Sequence, residues 1–299
     1  MIECIPNISE GCDRAAIDEI VRAVSLAGCR VLDLHRDVDH HRSVITFVGE
    51  PDTVVDGAFA LAREAVAHID LRVHRGVHPR IGAIDVIPFV PIGDATADAS
   101  LDDCVAIARR VGARIGDELG VPVFLYEAAA TRPERRNLAD VRRGGWDRIA
   151  AAFGEPEGRP DFGPARLHPS AGAVAVGARR PLVAYNVVLD TDDRSIARAV
   201  AGRVREASGG LAGVKALGLL LAERGLAQVS MNLTDIAATT VPDAFDAVTR
   251  EAAHLGAQVV DSEIVGLVPR AAVAGATTET LRLRSSLADK ILEDRIGCR

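Results

Sequence analysis

The sequence is poor in aromatic residues, lysine and cysteine. Aromatic side chains make up 3% of its 299 residues, too few to build the stacking platforms that bind single-stranded nucleic acid. Lysine occurs only at Lys215 and Lys290, so 33 of the 35 basic residues are arginine. Arginine by itself therefore singles out no site in this chain. The formal net charge is −7, which gives no bulk attraction to nucleic acid or to an anionic membrane but is compatible with a local basic pocket. The five cysteines, Cys4, Cys12, Cys29, Cys104 and Cys298, are odd in number, scattered and without a CxxC pair. That argues against a disulfide framework and a cysteine-based zinc site. No run reaches the ~18 apolar residues of a membrane span, and Met1-Ile2-Glu3-Cys4 lacks the basic start and apolar core of a secretory signal. These absences predict a soluble, cytoplasmic protein with no nucleic-acid or membrane partner.

What is present is ordinary globular material, 48% hydrophobic and 26% charged, long enough to bury a large core without staples. The second half has the clearest order. Leu182 to Leu189, Val214 to Leu221, Ala227 to Leu233 and Gln258 to Leu267 read as strands. Ile196, Val200 and Val204 mark one helix, and Phe245, Val248, Ala252 and Leu255 mark another. The order is βαββαβ, the split-βαβ or ferredoxin-like unit. The first half repeats it, with strands at Ile2 to Ile8, Arg30 to Leu34, Ser43 to Gly49 and Ile84 to Val90 and helices around Ile17 to Val24 and Val55 to Ile69. An extra helix, Leu101 to Leu119, and an extra strand, Val121 to Tyr126, enlarge it. The fold class predicted is thus α/β (α+β), two ferredoxin-like subdomains over 1–178 and 179–299. Between Ala130 and Ala173 the density of glycine and proline predicts mostly loop, with one short helix near Trp146 to Phe153.

Three polar groups stand out. His35-Arg36-Asp37-Val38-Asp39-His40-His41-Arg42 lies between two predicted strands. It reads as a solvated hairpin loop, as a metal site of no familiar spacing, or, the reading preferred, as a substrate-facing loop that offers Arg42 to a carboxylate. In His74-Arg75-Gly76-Val77-His78-Pro79-Arg80-Ile81-Gly82-Ala83, Pro79 restricts the backbone of His78. A histidine fixed in this way beside an arginine suits a general base next to an anion site, with His74 as competitor and a plain surface turn as the alternative. The third group runs from Pro160-Asp161-Phe162-Gly163-Pro164 to His168-Pro169-Ser170-Ala171-Gly172 and lacks the lysine of a phosphate loop. It is either a rigid connector or a ligand-contact loop. Asn186, Ser230 and Asn232 place amides and a hydroxyl on strands, where they could meet the donor and acceptor edge of a pterin-like ring or serve structure alone.

Taken together, these motifs resemble the formiminotransferase family. The likeness runs from Glu3-Cys4-Ile5-Pro6-Asn7-Ile8-Ser9-Glu10-Gly11 through Arg42-Ser43-Val44-Ile45-Thr46-Phe47-Val48-Gly49, His78-Pro79-Arg80-Ile81-Gly82-Ala83 and Pro88-Phe89-Val90-Pro91. It continues through Pro122-Val123-Phe124-Leu125-Tyr126, Pro160-Asp161-Phe162-Gly163-Pro164 and Ala184-Tyr185-Asn186 to Ala227-Gln228-Val229-Ser230 and Val265-Gly266-Leu267-Val268-Pro269. The resemblance implies two ferredoxin-like subdomains, assembly as a homodimer or larger, and transfer of the formimino group of N-formimino-L-glutamate to N5 of tetrahydrofolate in histidine degradation. It implies a catalytic base at His78 and a folate loop comprising Gly163, Pro164, Ala165, Arg166, Leu167, His168, Pro169, Ser170, Ala171 and Gly172. Arg80 and Arg42 are expected at substrate carboxylates, and Asn186 and Asn232 at folate. Tetrahydrofolate is expected as co-substrate, with no metal.

The animal bifunctional members carry acids where this chain has Val77 and His35, so Asp37 or Asp39 is the candidate to tune the base. A stand-alone member would leave its product to a separate cyclodeaminase. Two alternatives stay open: a formyltransferase using N-formylglutamate to make 5-formyltetrahydrofolate, and a non-enzymatic folate-binding protein.

Overall fold

Proline has no N–H to give to a ladder, and Pro6 interrupts the first strand. In the computed structural model, which describes residues 1–74, 80–92 and 99–297, it divides that strand into β1 (Ile2–Cys4) and β2 (Asn7–Ile8). Both pair with β4 (Arg42–Gly49) on one side and β5 (Ile84–Pro91) on the other, all antiparallel. β3 (Arg30–Asp37) adds to the outer edge of β4. The helices α1 (Arg14–Leu26) and α2 (Pro51–His68) complete the βαββαβ order read from the sequence. The loop predicted over His35–Arg42 shrinks to a turn at 38–41. His35, Arg36 and Asp37 prolong β3, and Arg42 opens β4 opposite Asp37.

The enlargement is greater than predicted. Helix α3 (Leu101–Leu119) starts with a reciprocal cap between Ser100 and Asp103 and ends at Gly120 in the left-handed region. Strand β6 (Val123–Glu127) follows, but it does not reach β5 directly. A further strand, β7 (Val174–Ala178), lies between them and is parallel to both. The sheet order from β3 is β3, β4, β1 with β2, β5, β7, β6. β7 is buried along its whole length, so it shows none of the alternation that marks a half-exposed strand.

Both faces of this sheet are covered. Ile17, Ile20, Val55, Leu61, Ile107 and Val111 press the three helices onto one face. Ile81, Val86, Phe124, Tyr126 and Ile149 form a smaller core on the other. There the breaker-rich segment supplies two short helices, α4 (Leu138–Val141) and α5 (Gly145–Ala152).

The chain divides into two units, Met1–Arg180 and Pro181–Arg299. The second is a four-stranded antiparallel sheet in the order β11 (Val259–Val265), β8 (Val183–Leu189), β10 (Leu226–Leu233), β9 (Val214–Leu221). With α6 (Arg194–Val204) and α7 (Val241–His254) this is again βαββαβ, the fourth strand beside the first as in the split-βαβ unit. A short α8 (Leu292–Ile296) follows near the end of the chain. No described helix is long and apolar enough to cross a membrane.

Candidate active site

His78 lies outside the described residues, and so do Gly76, Val77 and Pro79. The segments on either side of it are described. Where the chain resumes, Arg80 is half-buried, and Ile81 donates its backbone N–H to the Asp85 carboxylate (Oδ1) at 2.8 Å. Asp85 is 1% exposed, an acid inside the apolar run Ile84-Asp85-Val86-Ile87. Its other oxygen, Oδ2, takes the Arg142 guanidinium at 2.6 Å. Arg142 directly follows α4, on the face away from the three long helices.

Arg42, on β4, feels the charge of the same carboxylate. It stands one residue before Ser43, which lies level with Ile8, while Ile84, the neighbour of Asp85, lies level with Ile8 on the other side. Two ladder steps of the sheet, about 10 Å, therefore separate the two backbones, a distance an arginine spans. Burial lowers the Arg42 guanidinium to about 10, and the nearby charges of Arg142 and Arg80 push the same way, against Asp85 and Asp37. Burial likewise lowers Arg80, which feels Asp85 and Arg142. Arg142 thus pairs with the buried Asp85 carboxylate, and Arg42 and Arg80 lie near enough to feel its charge. Arg42 and Arg80 were expected at a carboxylate site; Asp85 and Arg142 were missed. An acid in an apolar strand was the signal for Asp85, whereas Arg142 was hidden among 33 arginines in a stretch read as loop.

Histidines flank this cluster. Arg80 contacts both ring nitrogens of His74, at 2.6 Å to Nε2. The rings of His74 and His41 meet edge to face with centroids 4.0 Å apart. Burial, the Arg80 charge and His41 hold His74 down at about 4, so it is neutral at physiological pH. His41 sits in the left-handed region at φ 48° in the tight turn and lies 3.6 Å from Glu10. Asp37 caps that turn, accepting from His40 N at 2.8 Å and from the His40 ring at 2.6 Å. Burial would raise Asp37, but the His40 hydrogen bonds and the His40 and His35 charges outweigh it and hold it at about 2. Asp37 is thus occupied locally by His40. Glu10, Cys12 and His41 bring one ligand atom each within 4.8 Å of one another, although Glu10 Oε1 already accepts the N–H groups of Cys12 and Asp13.

The loop from Gly163 to Gly172 is tied down at both ends. At its start, Asp161 accepts from Leu125 N at 2.8 Å and pairs with Arg135 at 2.6 Å, both side chains almost fully buried. Arg135 also donates to the carbonyls of Glu157 and Arg159 and lies over the Phe124 ring. At its end, Gly172 bridges Gly82, Ala83 N donates to Ala171 O at 2.9 Å and Ala173 N to Ile81 O at 2.9 Å. The contact requires glycine: a Cβ on Gly82 would lie 1.8 Å from Ala173 O, and Gly172 adopts φ +71° beside the Trp146 ring. His168 accepts N–H bonds at Nδ1 from Ser170 and Ala171, which leaves the ring proton on Nε2. The loop therefore ends against the strand that begins a few residues after His78, with Ala165 and Arg166 exposed between the two anchors.

Asn186 and Asn232 belong to the second unit. Ser230 pairs with Asn186 and Asn232 with Ala184, so both amides share one face of that sheet; Asn186 is buried and Asn232 exposed. Gln228 lies on the same face, 1% exposed, and its amide nitrogen has no hydrogen-bond partner among the described residues.

Residues 1–179 match the model of the formiminotransferase domain, N-terminal subdomain, and residues 184–290 match that of the formiminotransferase domain. The chain belongs to the formiminotransferase family. A glutamate formimidoyltransferase of Streptococcus pyogenes serotype M1 is 45% identical over 274 residues, 91% of this chain and 90% of that protein. One of Thermoplasma acidophilum is 42% identical over 99% of this chain and 97% of its own length. A formimidoyltransferase-cyclodeaminase of Rattus norvegicus is 41% identical, and the match covers 92% of this chain but 51% of that longer protein. Among formiminotransferases with these names, the likeness is thus end to end for the shorter proteins and confined to about half of the bifunctional one.

Proposed function

We propose that this formiminotransferase is a glutamate formimidoyltransferase that moves the formimino group of N-formimino-L-glutamate to N5 of tetrahydrofolate. The observation that carries the reading is the gathering of Arg42, Arg80 and Arg142 around Asp85, a site suited to carboxylates, on the strand that follows the His78 motif. Its guanidiniums would hold the donor's carboxylates in bidentate fashion. N5 attacks the formimino carbon, and the tetrahedral adduct collapses with loss of the glutamate amine. His78 takes the proton that leaves N5 and returns it to the departing nitrogen. Both substrates are consumed and no oxidation occurs, so positioning two ligands in line supplies most of the acceleration.

Tetrahydrofolate is assigned to the loop Gly163–Gly172 of the first unit; in the second unit, Asn186 and Asn232 are kept as folate candidates by themselves. Support comes from the rigid anchoring of that loop at Asp161 and Gly172 and from the buried amides of Asn186 and Gln228, which could donate to and accept from a pterin edge. The proposal places the enzyme in the cytoplasm, as a homodimer, late in histidine degradation, with a separate cyclodeaminase taking the product. Its subdomains would be 1–178 and 179–299. The formyl reading differs by one hydrogen-bond reversal at the transferred group, and no observation favours it.

The test is a donor panel with tetrahydrofolate, read by the 5,10-methenyl product after acid. Turnover with formiminoglutamate well above that with formylglutamate is the expected result. Turnover with formylglutamate alone, or folate binding without any turnover, would replace the assignment.

A further inference from the structure

The polar turn at 38–41 has a neighbour besides its own hairpin. The segment Ser9–Cys12, which follows β2, is docked against it. A Cβ on Gly11 would stand 2.2 Å from Asp37 O and 2.7 Å from Arg42 N, so only glycine fits there. Ser43 donates its hydroxyl to Glu10 O at 2.6 Å, Arg36 donates to Gly11 O at 3.2 Å, and Ser9 donates to Gly82 O at 2.7 Å. The backbone that carries Glu10 and Cys12 is thus fixed against the turn that carries His41.

Three different donor types converge as a result. A carboxylate oxygen of Glu10, Sγ of Cys12 and a ring nitrogen of His41 all lie within 4.8 Å of one another, and His41 Nε2 is 3.6 Å from Glu10 Oε1. Tetrahedral zinc, with bonds of about 2.0–2.3 Å, holds its ligand atoms about 3.3–3.8 Å apart, so small side-chain rotations close the set. Glu10 Oε1 accepts from Cys12 N at 2.7 Å and Asp13 N at 2.9 Å, which orients the carboxylate. A carboxylate has about four acceptor positions, so lone pairs remain for an ion. The His41 ring is backed on its other side by His74, with Nδ1 2.5 Å from His74 Nε2, the kind of outer contact that orients a metal-bound imidazole. Asp37 and His40 stay outside the set because they pair with each other. A thiolate and an imidazole select a zinc-like ion over calcium or magnesium, and the thiolate and carboxylate together match its double charge. Cys12 is exposed and Glu10 and His41 are partly so, which gives an ion a path from solvent and a water room as fourth ligand.

We propose that Glu10, Cys12 and His41, backed by His74, form a site for a divalent cation of the zinc class, none of whose three ligands is assigned to the donor or to folate. Metal binding needs no turnover, so this site stands or falls apart from the reaction assignment.

The experiment titrates the full chain, stripped with a chelator and dialysed, with Co2+ and then with Zn2+. One equivalent of Co2+ should bind with a thiolate-to-cobalt charge-transfer band, and Zn2+ should displace it. Cys12→Ser should abolish that band, whereas Cys298→Ser, the control thiol, should keep it. C12S, His41→Asn and Glu10→Gln should each raise the zinc dissociation constant by about tenfold or more, and His74→Gln by about tenfold. Circular dichroism of the metal-free proteins checks that each variant folds. No saturable binding by the wild type, a charge-transfer band that survives in C12S, or wild-type zinc affinity in H41N overturns the proposal. Wild-type affinity in H74Q overturns the backing role of His74.

Discussion

The buried pair Arg135–Asp161 offers a perturbation whose size follows from the structure. The two side chains are 5% and 7% exposed and meet at 2.6 Å. Arg135 further satisfies the Glu157 and Arg159 carbonyls, and Asp161 the Leu125 N–H and the Thr131 hydroxyl. Burial disfavours the Arg135 charge, and the Asp161 carboxylate offsets that cost. Removing one partner of such a pair leaves a buried charge uncompensated, at a cost of about 3–5 kcal/mol. Arg135→Met should therefore lower the unfolding free energy by about that amount, a large share of the ~5–15 kcal/mol of a typical domain. The melting temperature should drop by about 6–20 °C. Asp161→Asn keeps an acceptor for Leu125 N but removes the charge, so the double variant should lose clearly less than the sum of the two single losses. Asp161 precedes Gly163 by two residues, so the dissociation constant for tetrahydrofolate should rise in R135M wherever the protein is still folded. Denaturant titrations of the four proteins, with folate binding measured in parallel, provide the check. A loss below ~1 kcal/mol in R135M, additive with D161N and without effect on folate, would refute the view that this pair anchors the loop.

His78→Ala, with folate binding retained, should lower kcat by about two to four powers of ten if His78 is the base; near wild-type turnover would transfer the role to another group. His74 makes a pH prediction. Its value in the folded chain, about 4, lies below the ordinary 6.5, so the folded state binds fewer protons than the unfolded state between those limits. The contribution of this group therefore makes stability fall as pH drops from about 6.5 towards 4. Urea titrations at pH 7 and pH 5 should show a smaller acid loss for His74→Gln than for the wild type, and equal losses would refute the assignment.

Periodicity made most of the fold legible. Val55, Phe59, Ala62 and Val66, spaced for one apolar stripe, lie inside α2 with Ile69 at its C-cap, and Val229, Met231 and Leu233 alternate within β10. What stayed hidden had physical reasons. Val174–Ala178 is short, buried on both faces and follows a run of breakers, so it carries no period. Leu138–Val141 is a single turn of helix. Asp37 and Arg42 pair across a hairpin whose polar side chains looked like loop. At the candidate site, Arg42 and Arg80 stand out in the sequence by motif chemistry, and the loop ending at Gly172 by the family resemblance. Asp85 and Arg142 were not joined because the bulge between Ile84 and Val86 that aims one at the other is a property of strand register, which a single sequence does not display.

The place of β7 has a consequence for the order in which the first unit can form. Once β5 is made, at Pro91, the βαββαβ sheet has all its strands. Strand β6 ends at Glu127, but the strand it pairs with, β7, is complete only at Ala178, about fifty residues later in synthesis. Until then β5 and β6 lack the strand that joins them, so that half of the sheet must wait for long-range closure, the slow kind of contact. The segment that arrives in the interval, 128–173, is the one that carries Arg142 and the loop to Gly172. The part of this unit proposed to hold folate is thus the last of it that a ribosome can finish, closing onto a sheet whose other half can already be standing.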